Sequence, residues 1–293
     1  MTERVSIGSR DLTVVVKAVG AELCSIRDTA GREYLWQAGR EWPRHAPILF
    51  PVVGRLHGDA LAFGEQRYPM GQHGFARDLR FELLEDRASA CRFVLTDSAA
   101  TWGAYPFPFR LEVAVAVRGR TVTLTTVVAN PGETAMPFSV GAHPAFVWPL
   151  PGAGPKPAHR LEFEQDEPAP VFRPGADGLL DPAPRDLPLN GRALGLREEL
   201  FAEGALILLN PASRRVRLAA PGAPAVEVAW QGYGQLGLWT KPGAGFLCIE
   251  PWAGYADIAG HPADAWHKPG VTILPPGESR SYVHRITVDP GDG

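Results

Sequence analysis

Apolar and polar residues alternate along many short segments of this chain, and turn residues separate the segments. The alternating segments are residues 12–18, 80–84, 92–97, 110–118 and 121–129 in the first half, and 205–209, 216–219, 225–230, 245–250 and 281–288 in the second. Short segments rich in Val, Leu, Thr and Phe with a period of two predict β-strands. Gly119 lies where a tight turn would join two of them, which predicts a long antiparallel hairpin over residues 110–129.

So many short strands predict sheets packed in layers. The chain has 32 Gly and 29 Pro, and we find no convincing amphipathic helix longer than about three turns. We therefore expect an all-β fold, a large antiparallel β-sandwich with few short helices, formed by a single domain over residues 1–293. The stretch 150–189 is rich in Pro, Ala, Gly and Asp. It is either a linker or a surface excursion, and the similar strand patterns on both sides favour the excursion.

The composition restricts the class of ligand that the protein is expected to bind. Hydrophobic residues make up 45% of the chain and charged residues 21%, and the net charge of −3 is spread without a basic block. This gives no electrostatic footprint for nucleic acid or an anionic membrane, so we expect a small, neutral or weakly charged ligand. Residues 1–7 lack the apolar core of a signal peptide, and no run of 18 apolar residues follows, which predicts a cytoplasmic protein.

Common cofactor, metal and nucleophile motifs are missing or out of context. The three cysteines, Cys24, Cys91 and Cys248, are widely spaced and set in strand-like segments, so we expect reduced, buried thiols and neither disulfides nor a CxxC metal site. Residues 232–237 match G-x-G-x-x-G, but a proline and a glycine follow where the motif needs a helix, and this favours a loop between strands. There is no phosphate loop, H-E-x-x-H or G-x-S-x-G.

Three distant segments each hold one proton-transfer residue among apolar or aromatic neighbours. They are QHGFAR at 72–77 with His73, GAHPAF at 141–146 with His143, and CIEPW at 248–252 with Glu250. Histidine readily takes a proton near neutral pH, and burial can tune a glutamate pKa upward. The set suits general acid–base chemistry without a metal.

Each of these residues also has a structural interpretation. Glu250 shares a strand face with Phe246 and Cys248, which directs the carboxylate towards buried groups, where desolvation would raise its pKa; alternatively it escapes into water at a strand end. His143 ends a predicted strand, held extended by the proline after it, and is either aimed into a cleft or buried against a carbonyl. His73 is flanked by glycines that let the backbone approach a ligand, or is a loop histidine with a satisfied hydrogen bond.

Cations and indoles near these segments supply further binding candidates. Arg55 ends an apolar run, and its planar fork can hold neighbouring hydroxyls or stay solvated in a loop. Arg77 precedes Asp78, with which it can form a local ion pair. Indole rings suit the C–H face of a sugar ring as well as they suit a core. The tryptophans nearest to the candidates are Trp36, Trp148, Trp239 and Trp252.

Taken in order, these segments resemble the aldose 1-epimerase (galactose mutarotase-like) family, in its LacX-like branch. The resemblance covers nearly the whole chain and is carried by residues 20–37, 50–55, 72–77, 141–146 and 248–252. No single segment is specific, but the five in this order are. The resemblance implies one large antiparallel β-sandwich of the galactose mutarotase-like type, with an open carbohydrate cleft and no cofactor.

The resemblance also implies roles for the site residues. Glu250 would be the general base that takes the proton from the C1 hydroxyl of a cyclic aldose, and His143 the general acid that protonates the ring oxygen. His73 and Arg55 would bind and orient hydroxyls, and we add Trp252 and Arg77 to the substrate-binding set. The ring opens, C1 rotates, and reclosure gives the other anomer.

The sequence departs from the family at one substrate-binding position and leaves two other functions open. Typical members carry an Asp in the segment corresponding to residues 201–206, where this chain offers only Glu203. The identity of the sugar is therefore open. A hexose-6-phosphate 1-epimerase would need a cation cluster, to which Arg55, Arg77 and Arg80 could contribute. A non-catalytic carbohydrate-binding sandwich is the third function, although a pure binder gains little from a carboxylate in an apolar setting.

Overall fold

The computed structural model describes residues 3–290, and these residues form an antiparallel all-β structure with few short helices. The strands are β1 (Arg4–Gly8), β2 (Leu12–Lys17), β3 (Glu22–Asp28), β4 (Ile48–Leu49), β5 (Ala60–Phe63), β6 (Gln66–Pro69), β7 (Glu82–Arg87), β8 (Ala90–Thr96), β9 (Arg110–Arg118), β10 (Thr121–Ala129), β11 (Met136–Phe138), β12 (Val140–Ala142), β13 (Ala145–Val147), β14 (Arg160–Phe163), β15 (Val171–Pro174), β16 (Leu180–Arg185), β17 (Ala193–Gly195), β18 (Leu206–Leu208), β19 (Arg215–Ala219), β20 (Ala225–Gln231), β21 (Gln235–Trp239), β22 (Phe246–Ala253), β23 (Thr272–Leu274) and β24 (Ser279–Asp289). The helices are α1 (Ala99–Trp102) and the 3-10 turns His57–Asp59, Ala76–Asp78, Lys156–Ala158 and Glu198–Phe201.

Two large sheets carry the fold. One has nine strands in the order β17-β14-β19-β20-β24-β10-β9-β8-β7, and the other has the order β16-β15-β18-β21-β22-β12-β4 with β13 also paired to β22. β1 to β3 form a separate three-stranded sheet, and β5–β6 and β11–β23 form two-stranded ones. The main core packs apolar residues of both large sheets together, for example Val113 and Leu124 from one and Leu236 and Ile249 from the other. The predicted β-sandwich is confirmed.

The central strand β22 is buried along its whole length, so its two faces meet different surroundings. Leu247 and Ile249 belong to the main core between the sheets. Phe246 and Cys248 point the other way, into a smaller apolar cluster with three tryptophans. Glu250 follows on this second face, because side chains two residues apart in a strand share a face.

Several predicted elements are confirmed, and one is wrong. The hairpin has the predicted bounds, with Thr121 opposite Arg118 and Gly119 at a positive φ of 54° in the turn. The three cysteines are free and buried. Of the predicted loop 232–237, residues 232–234 form a loop between β20 and β21, and residues 235–237 begin β21. The prediction that 150–189 is a surface excursion is wrong: β14 joins the nine-stranded sheet, and β15 and β16 extend the other. Leu161 and Val171 of this stretch are buried, because apolar and polar residues still alternate between its prolines.

The helices of the described part of the chain are short. Across residues 3–290 none has the length and apolar character needed to cross a lipid bilayer.

Candidate active site

A cavity of about 290 Å³ opens on the face of the second sheet that carries Glu250. Its size lies near the lower end of the roughly 300–1,000 Å³ typical of small-molecule pockets, which suits a small ligand. The lining residues are Trp42, Gly54, Gln72, His73, Arg77, His143, Pro174, Gly178, Leu179, Leu180, Gly204, Ala205, Ile207, Trp239, Glu250, Trp252 and Ala256. Glu250 is the only acidic residue in this lining within residues 3–290.

Glu250 and His143 form a buried pair at the centre of the lining. Nε2 of His143 lies 3.1 Å from Oε2 of Glu250, and the side chains are only 8% and 1% exposed. The two atoms are not aligned as a hydrogen bond, and within residues 3–290 Oε2 of Glu250 has no hydrogen-bond partner. A nearly inaccessible carboxyl oxygen without a partner costs free energy unless a ligand hydroxyl satisfies it.

Backbone hydrogen bonds and ring stacking hold His143 in place. The residue follows β12, and its N–H donates to the carbonyl of Pro47 over 3.1 Å. The imidazole stacks on Trp42, with centroids 4.8 Å apart and an interplanar angle of 26°, and meets the edge of Trp239 at 5.8 Å. The strand ends one residue earlier than predicted, at Ala142, but the histidine points into the cavity as expected.

Burial shifts the pKa values of the pair in opposite directions. Desolvation raises the pKa of Glu250 well above its usual range, against a smaller lowering effect of the Trp252 indole. Desolvation, helped by the Arg77 guanidinium, lowers the pKa of His143 to about 3. The pair therefore holds one exchangeable proton across neutral pH, because losing it or adding a second would leave a net charge in an apolar site.

A strained turn positions His73 beside this pair. His73 and Gly74 both have positive φ, 67° and 70°, and a Cβ on Gly74 would lie 2.2 Å from the carbonyl oxygen of Phe50. Two reciprocal bonds hold the turn: His73 N–H donates to the Gly54 carbonyl, and Gly54 N–H donates to Nδ1 of His73. Burial lowers the pKa of His73 well below its usual value, so the neutral ring carries its proton on Nε2 as a donor.

The indole of Trp252 lies across two glycines on the strands that flank β22. Gly141 of β12 pairs with Trp252, and Gly237 of β21 pairs with Glu250. A Cβ would lie 2.7 Å from Cδ1 of the ring at Gly141 and 2.6 Å from Cζ2 and Cη2 at Gly237. Because these glycines have no side chains, they leave room for a flat apolar ring to lie beside the Glu250 carboxyl.

We expect Gly237→Ala to lower kcat/KM for any substrate of this cavity by about tenfold, because overpacking of this size displaces the Trp252 ring at a cost of about 1–3 kcal/mol. Steady-state kinetics together with thermal melts measure both effects. Gly234→Ala is the matched control, since nothing lies within 4 Å of its added methyl group. Equal kinetics in the two variants would contradict the role assigned to the glycine.

A buried ion pair fixes the segment that leads to Trp42 and His143. Oε1 of Glu22 accepts from the backbone N–H groups of His45 (2.7 Å) and Ala46 (3.0 Å), and its other oxygen pairs with Lys17. Burial alone would raise the pKa of Glu22, but the hydrogen bonds from His45 and Lys17 outweigh it and lower the pKa to about 2. His45 in turn accepts from Ala145 N–H through its carbonyl oxygen, so Glu22 supports the site indirectly.

We expect Glu22→Gln to destabilise the fold at pH 7 by about 3 kcal/mol, the difference between 4.5 and 2 converted at about 1.4 kcal/mol per pKa unit. Because the folded pKa is lowered, this stabilisation is fully present above about pH 4.5 and is lost as pH falls towards 2. Urea unfolding at pH 7, 5 and 3 should therefore show a gap between wild type and variant that shrinks in acid. Exposed Glu65→Gln serves as the control, and a pH-independent gap would refute the assignment.

The two candidate arginines occupy different places. Arg55 does not line the cavity: Nε and Nη2 of its exposed guanidinium each lie 2.8 Å from an oxygen of Asp59, and Nη1 donates to the Asp177 carbonyl. Arg77 lines it, donates to the Gln72 carbonyl at 2.6 Å, and has a buried Nε without a hydrogen-bond partner within residues 3–290. Its Nε lies 3.7 Å from Asp78, so the ion pair predicted as an alternative also forms.

Sequence reasoning missed part of the lining. Trp42 stacks on His143 from a segment, REWPR, whose charge and proline gave no sign of a buried role. Residues 174–180 and 204–207 form a far wall that no motif marks. Glu203, the only acid in the segment of the missing Asp, is 65% exposed and lies near Arg185.

Two groups of side chains in residues 3–290 bring metal-ligand atoms within 4.8 Å of one another. One is Glu22, Cys24 and His45, and the other is His143, Cys248 and Glu250. The Lys17 ammonium already neutralises Glu22 in the first group. In the second, the Arg77 guanidinium disfavours a further positive charge near His143.

One sheet face of the β-sandwich carries a buried carboxyl–imidazole pair among indoles, an arrangement suited to proton transfer on a small ligand. Comparison with known proteins makes the class specific: residues 3–287 match the aldose 1-epimerase family, and the chain belongs to that family. A LacX protein of Lactococcus lactis subsp. lactis is 33% identical over 288 residues, covering 94% of this chain and 96% of the relative.

Solved structures agree with this membership. A galactose mutarotase related enzyme from Lactobacillus acidophilus superimposes with a TM-score of 0.90 at 30% identity, covering 99% of this chain and 98% of that one. A galactose mutarotase-like protein from Lactobacillus casei gives the same TM-score and identity over 97% of this chain and 99% of that one. The recognition of the family and the fold from sequence is confirmed.

Proposed function

We propose that the protein is an aldose 1-epimerase that interconverts the α and β anomers of a hexose or related aldose. The observation that carries the proposal is the His143–Glu250 pair, 3.1 Å apart, in a cavity that fits one sugar ring. Family membership supports the reaction class. Trp252 and Trp239 supply apolar faces for the C–H groups of the ring.

Each group has one role in ring opening. In the reactive form of the pair, Glu250 is a carboxylate and His143 an imidazolium. Glu250 takes the proton of the C1 hydroxyl while His143 protonates the ring oxygen, so the C1–O5 bond breaks and the aldehyde forms. The pair is then a carboxylic acid beside a neutral imidazole, which is the state that burial favours. After C1 rotates, the same steps in reverse close the ring with the other configuration.

The remaining polar groups orient the substrate. Nε2–H of His73 is a donor close to His143, with ring centroids 5.6 Å apart, and Arg77 and Gln72 line the same side. Arg55 remains a candidate for binding hydroxyls only if its bond to Asp59 opens. The pair carries one proton throughout, so no proton needs to come from solvent during turnover.

Anomer exchange tests the proposal. The approach of pure α-D-glucose and α-D-galactose to equilibrium, followed by polarimetry or exchange NMR, should be faster with protein than in buffer. A wild-type protein that accelerates no aldose of a broad panel would contradict the enzyme and leave a carbohydrate-binding protein.

One observation favours a second candidate, a hexose-6-phosphate 1-epimerase. Arg77, whose Nε has no hydrogen-bond partner within residues 3–290, and the nearby Arg44 place two positive charges at one side of the cavity, where Asp78 pairs with both. Comparing exchange of glucose with that of glucose 6-phosphate separates the two, and a strong preference for the phosphate would replace the first proposal.

A further inference from the structure

One wall of the cavity presents apolar side chains only. It consists of Pro174, Leu179, Leu180, Ala205 and Ile207. Leu180, Ile207 and Ala256 belong to an apolar cluster that also holds Trp252. The other side of the cavity, with His73, Gln72 and Arg77, is polar, so the cavity has two chemically different ends.

Part of the backbone along this wall is already hydrogen-bonded. Its N–H groups bond within the protein: Gly178 to the Gly175 carbonyl (2.9 Å), Leu179 to Oδ1 of Asp177 (3.1 Å), Leu180 to the Asp257 carbonyl (2.8 Å) and Gly204 to the Phe201 carbonyl (3.0 Å). The carbonyl of Gly204 accepts from Arg173 at 2.9 Å. A sugar hydroxyl pressed against the apolar side chains of this wall would give up its bonds to water without replacing them.

The order of strands places this wall on the side of Glu250 that faces away from His143. Glu250 on β22 pairs with Gly237 on β21, and Gly237 pairs with Ile207 on β18, so Ile207 lies two strand spacings, about 9–10 Å, from Glu250. His143 follows β12, on the other side of β22. With the ring oxygen at His143 and the C1 hydroxyl at Glu250, as the proposed function requires, C2 lies on the Ile207 side and C6 on the His143 side.

We propose that the preferred substrates are aldoses with hydrogen, rather than hydroxyl, at C2. This inference rests on the proposed epimerase function, which sets the orientation of the ring. An apolar wall discriminates against one added hydroxyl by roughly 10- to 100-fold. The polar end at Gln72 and Arg77 makes the opposite demand on C6, where a hydroxyl gains partners.

The test compares dissociation constants and kcat/KM across matched sugars. Isothermal titration and exchange NMR, each corrected for the rate in buffer, are applied to glucose, galactose, their 2-deoxy forms and 6-deoxygalactose. We expect the 2-deoxy sugars to bind and exchange at least tenfold better than the parents, and 6-deoxygalactose to show no gain over galactose. Equal or better binding of the parent sugars overturns the inference. Because titration needs no turnover, this holds even if exchange is not catalysed, and the two failures are distinct.

A conservative variant tests whether the wall is the cause. Ala205→Ser adds one hydroxyl to the wall with little change in volume, whereas Ala202→Ser adds it at an exposed position outside the cavity. The preference for the 2-deoxy sugar should fall at least threefold in Ala205→Ser and stay unchanged in Ala202→Ser. An unchanged preference in both variants would overturn the assignment to this wall.

Discussion

Glu250→Gln is expected to slow anomer exchange by about 10²- to 10⁴-fold, the contribution of one positioned proton-transfer group. Glutamine keeps the shape and the hydrogen-bonding reach of the side chain but cannot accept the C1 proton. KM should change much less than kcat, because the indoles, His73 and Arg77 still bind the ring. Exposed Glu199→Gln is the matched control and should exchange sugars at the wild-type rate.

The same substitution should stabilise the protein at neutral and alkaline pH. Burial raises the folded pKa of Glu250, so the folded state binds the extra proton between the ordinary value of 4.5 and the raised pKa. Stability therefore falls with rising pH over that interval, and glutamine removes this loss. Urea unfolding at pH 5 and pH 8 measures it: the wild type should lose stability relative to Glu250→Gln as pH rises. If Glu250→Gln kept the wild-type rate of anomer exchange, Glu250 would be excluded as the general base.

A gain of stability in Glu250→Gln would mean that folding and function make conflicting demands at this site. A carboxyl whose Oε2 accepts no hydrogen bond inside an apolar face is unfavourable for folding. Oε1 of Glu22, by contrast, accepts two backbone N–H groups and its Oε2 pairs with the Lys17 ammonium, and these contacts lower its pKa to about 2. Both glutamates are 1% exposed. The difference lies in what surrounds them, and it separates a structural carboxylate from a candidate catalytic one.

The face of Glu250 could be read from sequence because it follows from strand periodicity alone. Residues 246, 248 and 250 share a face in any strand, and a hydrophobic pattern of period two fixes the register. The hairpin over 110–129 was predictable for the same reason. Such local patterns mark ten of the 24 strands in residues 3–290, including the long strands β9, β10, β22 and β24, and the ordered motifs then identified the family.

Contacts between distant segments could not be read in this way. The stacking of Trp42 on His143 joins two segments about a hundred residues apart, and the far wall combines residues near 180 with others near 207. Arg55 shows a different limit of sequence reasoning. Its motif predicted that the guanidinium binds a ligand, but in the structure the guanidinium forms an ion pair with Asp59, four residues later. The sequence shows both residues, but only the fold shows which partner the arginine contacts.

His143→Asn is expected to lower the exchange rate by about 10²- to 10³-fold, since the amide cannot protonate the ring oxygen. The pH dependence of the exchange rate in this variant should identify the role of His143 more directly than the rate at a single pH. In the wild type the pair must hold one proton, so the rate is flat across neutral pH. It falls at high pH, where the pair loses that proton, and in acid towards about pH 3, where His143 takes a second.

In His143→Asn the only remaining requirement is an ionised Glu250. The residual rate should then rise with pH through the raised pKa of that carboxyl, because desolvation keeps Glu250 protonated at lower pH. The wild-type rate, in contrast, should fall at high pH. Exchange NMR from pH 5 to 9 measures both profiles, with His267→Asn, whose side chain is 84% exposed, as the control. Parallel profiles in wild type and His143→Asn would show that the imidazole does not share the proton, and would leave Glu250 to act with another acid.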